Sequence, residues 1–289
     1  MNKFWKILLI LLALVTLDIV RYVVYPNVST LKNENPIPTA FMEYRQEQWA
    51  SENRDMQITQ KWVSMNQISP NIIKAVLIGE DDGFYHHDGF DVKGMENAIE
   101  RSIQKKTLAG GSTISQQLSK NLYLSPSKNP VRKIKEAIIT WRIEKTLSKR
   151  RILEIYLNVA EWGDGIFGIE AAARHYYHKS AKNLSGDEAA HLAAVLPNPI
   201  KYNPTGNQKY VINRSRIILK TMKRRGVIQS YKEVMTPAKE DASSLNLSES
   251  NDSTEALFNT SSDDPSVKNT EENSVDPLIF GHNDQNSTQ

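Results

Sequence analysis

Several stretches of this sequence concentrate residues able to do chemistry, and the first is a carboxylate in an apolar place. Ile73, Val76 and Leu77 are followed at the same helical phase by Glu80, the i, i+3, i+4, i+7 spacing of a buried stripe. The helix ends there, ahead of Gly83, so Glu80 meets desolvation, the negative end of the helix dipole and the charges of Asp81 and Asp82. All three raise a carboxyl pKa, which suits a general base or acid working near neutral pH. The spacing leaves a second reading open, a carboxylate at a frayed helix end pointing to water.

A second carboxylate has a similar address. Arg132 and Glu136, four apart after Pro130, share a stripe with Ile139 and Ile143, while Val131, Ile134, Ile138 and Trp141 line the opposite side. A helix apolar on both sides does not leave Arg132 and Glu136 wholly to solvent. On spacing alone they are a structural i, i+4 ion pair worth a few tenths of a kcal/mol. Lys133 and Lys135, with Lys120 and Lys128 upstream, make a cationic cluster, either a solvated face or a site for phosphate oxygens. Gly110-Gly-Ser-Thr-Ile-Ser-Gln-Gln117 reads as a flexible turn entering a helix at Ser112, with free N–H groups suited to an anion. It is not a nucleotide P-loop, because no Gly-Lys-Ser/Thr follows the glycines at the required spacing.

Other constellations carry less. His86-His87 and His175-x-x-His178 lack the spacing and the companion glutamate of a helical zinc site, so no metal site is read from them. Ser102-Ile-Gln-Lys105 and Ser125-Pro-Ser-Lys128 match a bare S-x-x-K pattern, without the S-D-N or K-T-G that acyl-enzyme chemistry needs. The basic runs Lys149-Arg-Arg151 and Lys223-Arg-Arg225 have few interleaved aromatics, a poor nucleic-acid surface. The chain has no cysteine, which excludes disulfides and thiolate chemistry.

These residues need elements to hold them. Ser69-Pro70 and Asn129-Pro130 each place a capping residue before a proline at the first helical position. Ser185-Gly-Asp-Glu188 is a capping box ahead of a run from Ala189 to Leu196 that Pro197 stops, and Gly226 suits the end of a basic helix over 208–225. Alternating strand patterns are scarce, so the predicted class is all-α. At the N-terminus, a charge-free run from Ile7 to Leu17, nearly extended by Ile19 to Tyr25, approaches the ~20 residues that cross a bilayer. Asp18 and Arg21 interrupt it near its far end, where Arg21 can snorkel. Lys3 and Lys6 precede it, predicting a single-pass signal anchor with a cytoplasmic N-terminus and the rest outside. The predicted organisation is residues 1–26 anchor, 27–60 connector, 61–236 catalytic domain and 237–289 a disordered acidic tail. That tail has eleven acidic residues against two lysines, so within an overall charge of +3 the remainder stands at about +12.

Together the motifs resemble a known family. Glu80-Asp-Asp-Gly-Phe-Tyr-His-His-Asp-Gly89 matches the E-D-x-x-F-x-x-H-x-G motif of the peptidoglycan glycosyltransferases. GGSTISQQLSKN over 110–121 is similar to their second motif, with Ser115 where threonine is commoner. Arg132-Lys-Ile-Lys-Glu136 is similar to the third and Arg151-Ile-Leu-Glu-Ile-Tyr-Leu-Asn158 to the fourth, and the likeness runs over roughly residues 60 to 225, through Asn158-Val-Ala-Glu-Trp-Gly163 and Leu196-Pro-Asn-Pro199. With no transpeptidase domain following, the monofunctional biosynthetic branch is the one it resembles.

The resemblance implies a lysozyme-like helical domain, preceded by one transmembrane helix, with a small membrane-facing subdomain within 85–130. It implies lipid II and the growing glycan as substrates, inversion at the anomeric carbon, β-1,4 linkage and release of undecaprenyl pyrophosphate at the bacterial inner membrane. Glu80 and Glu136 would be the catalytic carboxylates, Glu80 removing the acceptor proton and Glu136 organising the donor pyrophosphate. Ser112, Gln116, Gln117, Lys120, Lys128 and Arg132 would bind substrate. No cofactor is required, although a divalent cation, Mg or Mn, is a candidate helper at the pyrophosphate without a dedicated ligand set. Penicillin-binding proteins and division proteins are candidate partners, nucleic acid is not. A lysozyme-like glycan-cleaving enzyme and a non-catalytic cell-wall scaffold are the alternatives. Deletion of everything after residue 237 is expected to leave polymerising activity of the purified protein unchanged in a glycan-chain assay, and a large loss would give the tail a catalytic role.

Overall fold

The computed structural model describes residues 3–94, 96, 111–126 and 129–228. Gly110, Lys128, part of the expected membrane-facing subdomain and the tail 237–289 lie outside those residues. The described chain is mostly helical, as expected, with helices α1 Lys3–Val20, α2 Ala40–Ser51, α3 Pro70–Glu80, α4 Ile114–Tyr123, α5 Pro130–Thr146, α6 Lys149–Val159, α7 Ile169–Tyr177, α8 Gly186–Val195 and α9 Lys209–Arg224. A small sheet of β1 Thr59–Gln60, β2 Glu161–Gly163 and β3 Ile166–Phe167 has β3 in the middle, parallel to β1 and antiparallel to β2.

Caps set the helix boundaries that matter. Ser69 Oγ accepts from Asn71 N at 3.2 Å and Pro70 occupies the first turn of α3. Asn129 does the same for α5 through Val131 N at 2.8 Å. Helix α4 starts at Ile114, two residues after the Ser112 that the sequence suggested. Thr113 is the capping residue, closing a reciprocal box with Gln116, and Ser112 stands exposed outside it. The reason is that Gln116 lies three residues after Thr113, the spacing a capping box requires.

Ile114, Leu118 and Leu122 make α4 the central helix, packed against α2, α5 and α6. Burial of each contributes about 1.5–3 kcal/mol. A second group forms where α3, α8 and α9 meet. The buried stripe of α3 is Ile72, Ala75, Val76 and Leu77, with Ile73 only partly buried. It is turned slightly from the expected phase, which moves Glu80 from the centre of the stripe to its flank, facing α4 and α9.

Residues 27–60, expected as a connector, are folded against the domain, with Val28, Leu31, Met42 and Trp49 buried. Helix α1 is the one described helix long and apolar enough to cross a membrane, and it buries no residue in the protein.

After α3 the chain turns through Phe84, fully buried beneath Lys149 Nζ, which stands 4.5 Å from its ring centroid. The turn closes at Gly89, whose carbonyl accepts from Thr113 Oγ1 at 2.7 Å. Gly89 has φ +89°, and a Cβ there would lie 2.9 Å from both Glu144 Cγ and Thr140 Cγ2 on α5. Gly89→Ala is therefore expected to destabilise the domain by about 1–3 kcal/mol, read as a melting temperature several degrees lower. An unchanged melting temperature would show that this turn is not locked against α5.

Candidate active site

Glu80 ends α3 with its side chain 10 % exposed and both carboxylate oxygens engaged. Gln117 Nε2 on α4 donates to Oε2 at 2.9 Å, and Arg214 Nη2 on α9 donates to Oε1 at 2.9 Å while also holding the Gly79 carbonyl at 2.8 Å. Burial pushes the Glu80 carboxyl above its ordinary 4.5, against the Gln117 hydrogen bond and the charges of Arg214 and Lys120, which pull it down. Desolvation is thus the larger effect, and the proton affinity is set by three cationic or amide groups from two other helices.

The Gln117 amide is oriented in its turn. Tyr156 OH donates to Gln117 Oε1 at 2.9 Å. Burial, with the nearby Glu80 and Asp81 charges, raises the Tyr156 phenol well above 10, so it stays a protonated donor. A hydroxyl that donates to Oε1 obliges Nε2 to face Glu80.

Neighbouring motif residues serve as scaffold. Asp81, side chain 2 % exposed, contacts His87 Nε2 at 2.9 Å through one oxygen and accepts from the Ile114 backbone N–H at 2.9 Å through the other. His87 Nδ1 accepts from Gly89 N at 3.1 Å, which leaves the proton on Nε2 to donate to Asp81. Asp82 forms a two-pronged pair with Arg225, at 2.5 and 2.7 Å. Ser115 donates to Glu144, which also accepts from Lys149 at 2.8 Å, so its hydroxyl has a structural use.

Glu136 is 3 % exposed and accepts from Arg132 Nη1 at 2.6 Å and from Lys133 Nζ. Burial draws Lys120 below its ordinary 10.5. The charges of Glu136 and Glu80 oppose that, and those of Arg132 and Lys133 reinforce it. Lys120 therefore senses both carboxylates. Gln116 is nearly buried, and its Oε1 is spent on the Thr113 N–H at 3.0 Å. Ser112 is exposed at the mouth of α4, and Lys128 lies outside the described residues.

A cleft opens beside Gln117 and Lys120, bounded by Phe41 and Arg45 of α2, by Tyr156 and Glu161, and by residues 196–199. Arg45 grips Glu161 through Nε at 3.0 Å and Nη2 at 2.9 Å. Arg214, Tyr156, Arg45 and Asn121 were not singled out in the sequence. Arg214 is one of many cations on α9, and only the packing of α9 on α3 distinguishes it. Tyr156 does fall within the fourth motif quoted above.

Among the described residues, no group of three or more His, Cys, Asp or Glu could hold a metal ion. Both site carboxylates are already engaged with cationic or amide partners, which does not fit a protein cage for a divalent cation.

The domain thus buries one carboxylate against an amide and a guanidinium and brackets a second with cations. Comparison with known proteins gives the family. The transglycosylase family profile matches residues 46–223. A protein of Laribacter hongkongensis is 46% identical over 216 residues, 74% of this chain and 92% of that one. One of Nitrosospira multiformis is 43% identical over 220 residues, 76% of this chain and 95% of its own. Both are named biosynthetic peptidoglycan transglycosylase. The chain belongs to the transglycosylase family, and is a glycosyltransferase.

Because its carboxyl pKa is raised on folding, Glu80 favours the folded state most when protonated. Its contribution is complete below about pH 4.5 and declines as pH rises through the higher folded-state value. The stability difference between wild type and Glu80→Gln, from denaturant midpoints between acidic and neutral pH, should shift against wild type as pH rises. A difference independent of pH would contradict the desolvated environment.

Proposed function

We propose that this glycosyltransferase polymerises lipid II into β-1,4-linked glycan with inversion, Glu80 being the general base and undecaprenyl pyrophosphate the leaving group. The observation that carries the reading is the Glu80 carboxylate, desolvated and hydrogen-bonded to the cleft-lining Gln117, with Lys120 sensing both it and Glu136.

The acceptor 4-hydroxyl has to displace one partner of Glu80. The bond from Gln117 is neutral, whereas that from Arg214 is charge-assisted and stronger. Oε2, the Gln117 side, is the oxygen that takes the proton, and Arg214 holds Oε1 throughout. Arg214 Nε is buried with no acceptor among the described residues, leaving a donor beside the reacting groups. As the hydroxyl oxygen bonds to the anomeric carbon and the C–O bond to pyrophosphate breaks, negative charge builds on the phosphates. Lys120, Arg132 and Lys133 meet that charge, and such electrostatic help is commonly a large share of a rate enhancement. An arriving pyrophosphate raises the proton affinity of Lys120 and keeps it charged. Glu136, with each oxygen held by a cation, positions Arg132 and Lys133. Ser112 and Gln117 offer hydrogen bonds to sugar or phosphate oxygens, with Gln116 restricted to its amide N–H. Any divalent ion would arrive on the substrate's own phosphate oxygens.

Helix α1, with Lys3 and Lys6 in its first turn ahead of the apolar run, supports a single-pass anchor with a cytoplasmic N-terminus and the catalytic domain on the outer face. Penicillin-binding and division proteins would work alongside it there. Purified protein given lipid II should yield long glycan, and Glu80→Gln should lower that rate by about 10²–10⁴-fold while remaining folded. Full activity in the variant removes Glu80 from the role of base, and shortening of preformed glycan without polymer overturns the synthetic direction.

A further inference from the structure

The C-terminal end of α1 is held by the domain at specific points. Asp18, the acidic residue within the apolar helix, pairs with Lys135 on α5 as well as with Arg21 at 3.1 Å. Arg142, also on α5, donates Nη1 to Tyr22 O at 3.0 Å and Nη2 to Val24 O at 2.7 Å. Lys135 Nζ stands 5.0 Å from the centroid of the Tyr22 ring, and Tyr22 is only 9% exposed. Lys135 and Arg142 are seven residues apart, so they share one face of α5.

That face borders an uncovered apolar one. Ile134 and Trp141, again seven apart, are 49% and 51% exposed. The opposite side of α5 is the core side, where Glu136, Ile139, Thr140 and Ile143 are buried. One helix therefore presents a core face, a face gripping the apolar helix and, beside that grip, an exposed apolar stripe.

We propose that α5 is a membrane-surface helix: α1 is docked on it through Lys135 and Arg142, and Ile134 and Trp141 enter the headgroup boundary of the bilayer beside α1. The inference rests on the reading of α1 as a membrane span. The occupant of the stripe follows from continuity, because a helix that grips the emerging end of a span has its neighbouring face at lipid level. A carboxylate at the end of a span needs a partner, which Lys135 supplies. Tryptophan favours the interface, and the exposed Lys145, four residues beyond Trp141, is placed for anionic headgroups. The consequence concerns the site. The same helix carries Arg132, Lys133 and Glu136, so docking sets these charges near the depth of a lipid's own phosphates.

The test uses the full chain in anionic phospholipid vesicles. Since the protein has no cysteine, Ile134→Cys, Trp141→Cys and, as control, Ile217→Cys on α9 (67% exposed) can each carry one fluorophore. Labels at 134 and 141 should be quenched by lipids bearing acyl-chain spin labels and shielded from aqueous iodide, with the reverse at 217. Iodide access at 134 and 141 equal to that at 217 overturns the proposal. So does shielding from both quenchers, which would assign the stripe to a protein partner. Alkaline carbonate extraction reads the span separately: release from the vesicles defeats the reading of α1, whereas retention with iodide access defeats only the surface helix. Asp18→Lys and Lys135→Glu should each raise KM for the lipid-linked substrate roughly two- to five-fold, with recovery when the two are combined. Unchanged KM in the single variants, or no recovery in the pair, removes the docking.

Discussion

Holding a carboxylate out of water at the C-terminal end of a helix is the constraint around which this domain is arranged. Glu80 faces a desolvation penalty and the negative pole of α3 together. Arg214 and Gln117 offset it from two separate helices, and Tyr156 fixes Gln117 from a third. Removing any one of these helices would leave an uncompensated buried anion, so the packing of α3, α4, α6 and α9 and the state of one carboxyl are a single problem.

The residues around Glu80 show how that packing is locked. Asp81 ties the end of α3 to the start of α4 and to His87, and Gly89 lets the returning chain lie against α5 where no side chain fits. Asp82 adds a bidentate pair to Arg225 beyond the end of α9. In this stretch Glu80 meets Gln117 and Arg214 while its neighbours bind the surrounding elements. A motif that looks uniform in sequence thus divides into one desolvated carboxylate and a frame.

Helix α5 solves a different problem, with a buried side toward the core and an exposed side with apolar residues. Its cations are divided accordingly. Arg132 and Lys133 converge on Glu136, whereas Lys135 and Arg142 face the emerging end of α1. Glu136 keeps the first pair together, since two unpaired cations so close would repel each other.

Much of this was legible in the chain itself. Proline and capping residues marked the starts of α3, α5 and α8 and the lack of alternation marked an all-α class, because these depend on contacts a few residues apart, whereas the spacing of Glu80 alone left its surroundings open. The start of α4 was misread by two residues because Gln116 chose its cap through a side-chain bond. Arg214, more than a hundred residues from Glu80, carried no local sign of its contact with that carboxylate, and Tyr156 was marked only by the motif around it. Nor could the Asp18 to Lys135 pair be read from a hydropathy profile. The sequence by itself determined which residues could react and how its helices begin. Only the tertiary structure decided which cation meets which carboxylate, since Coulomb attraction and desolvation depend on distance in space and on burial, and neither is written in spacing along the chain.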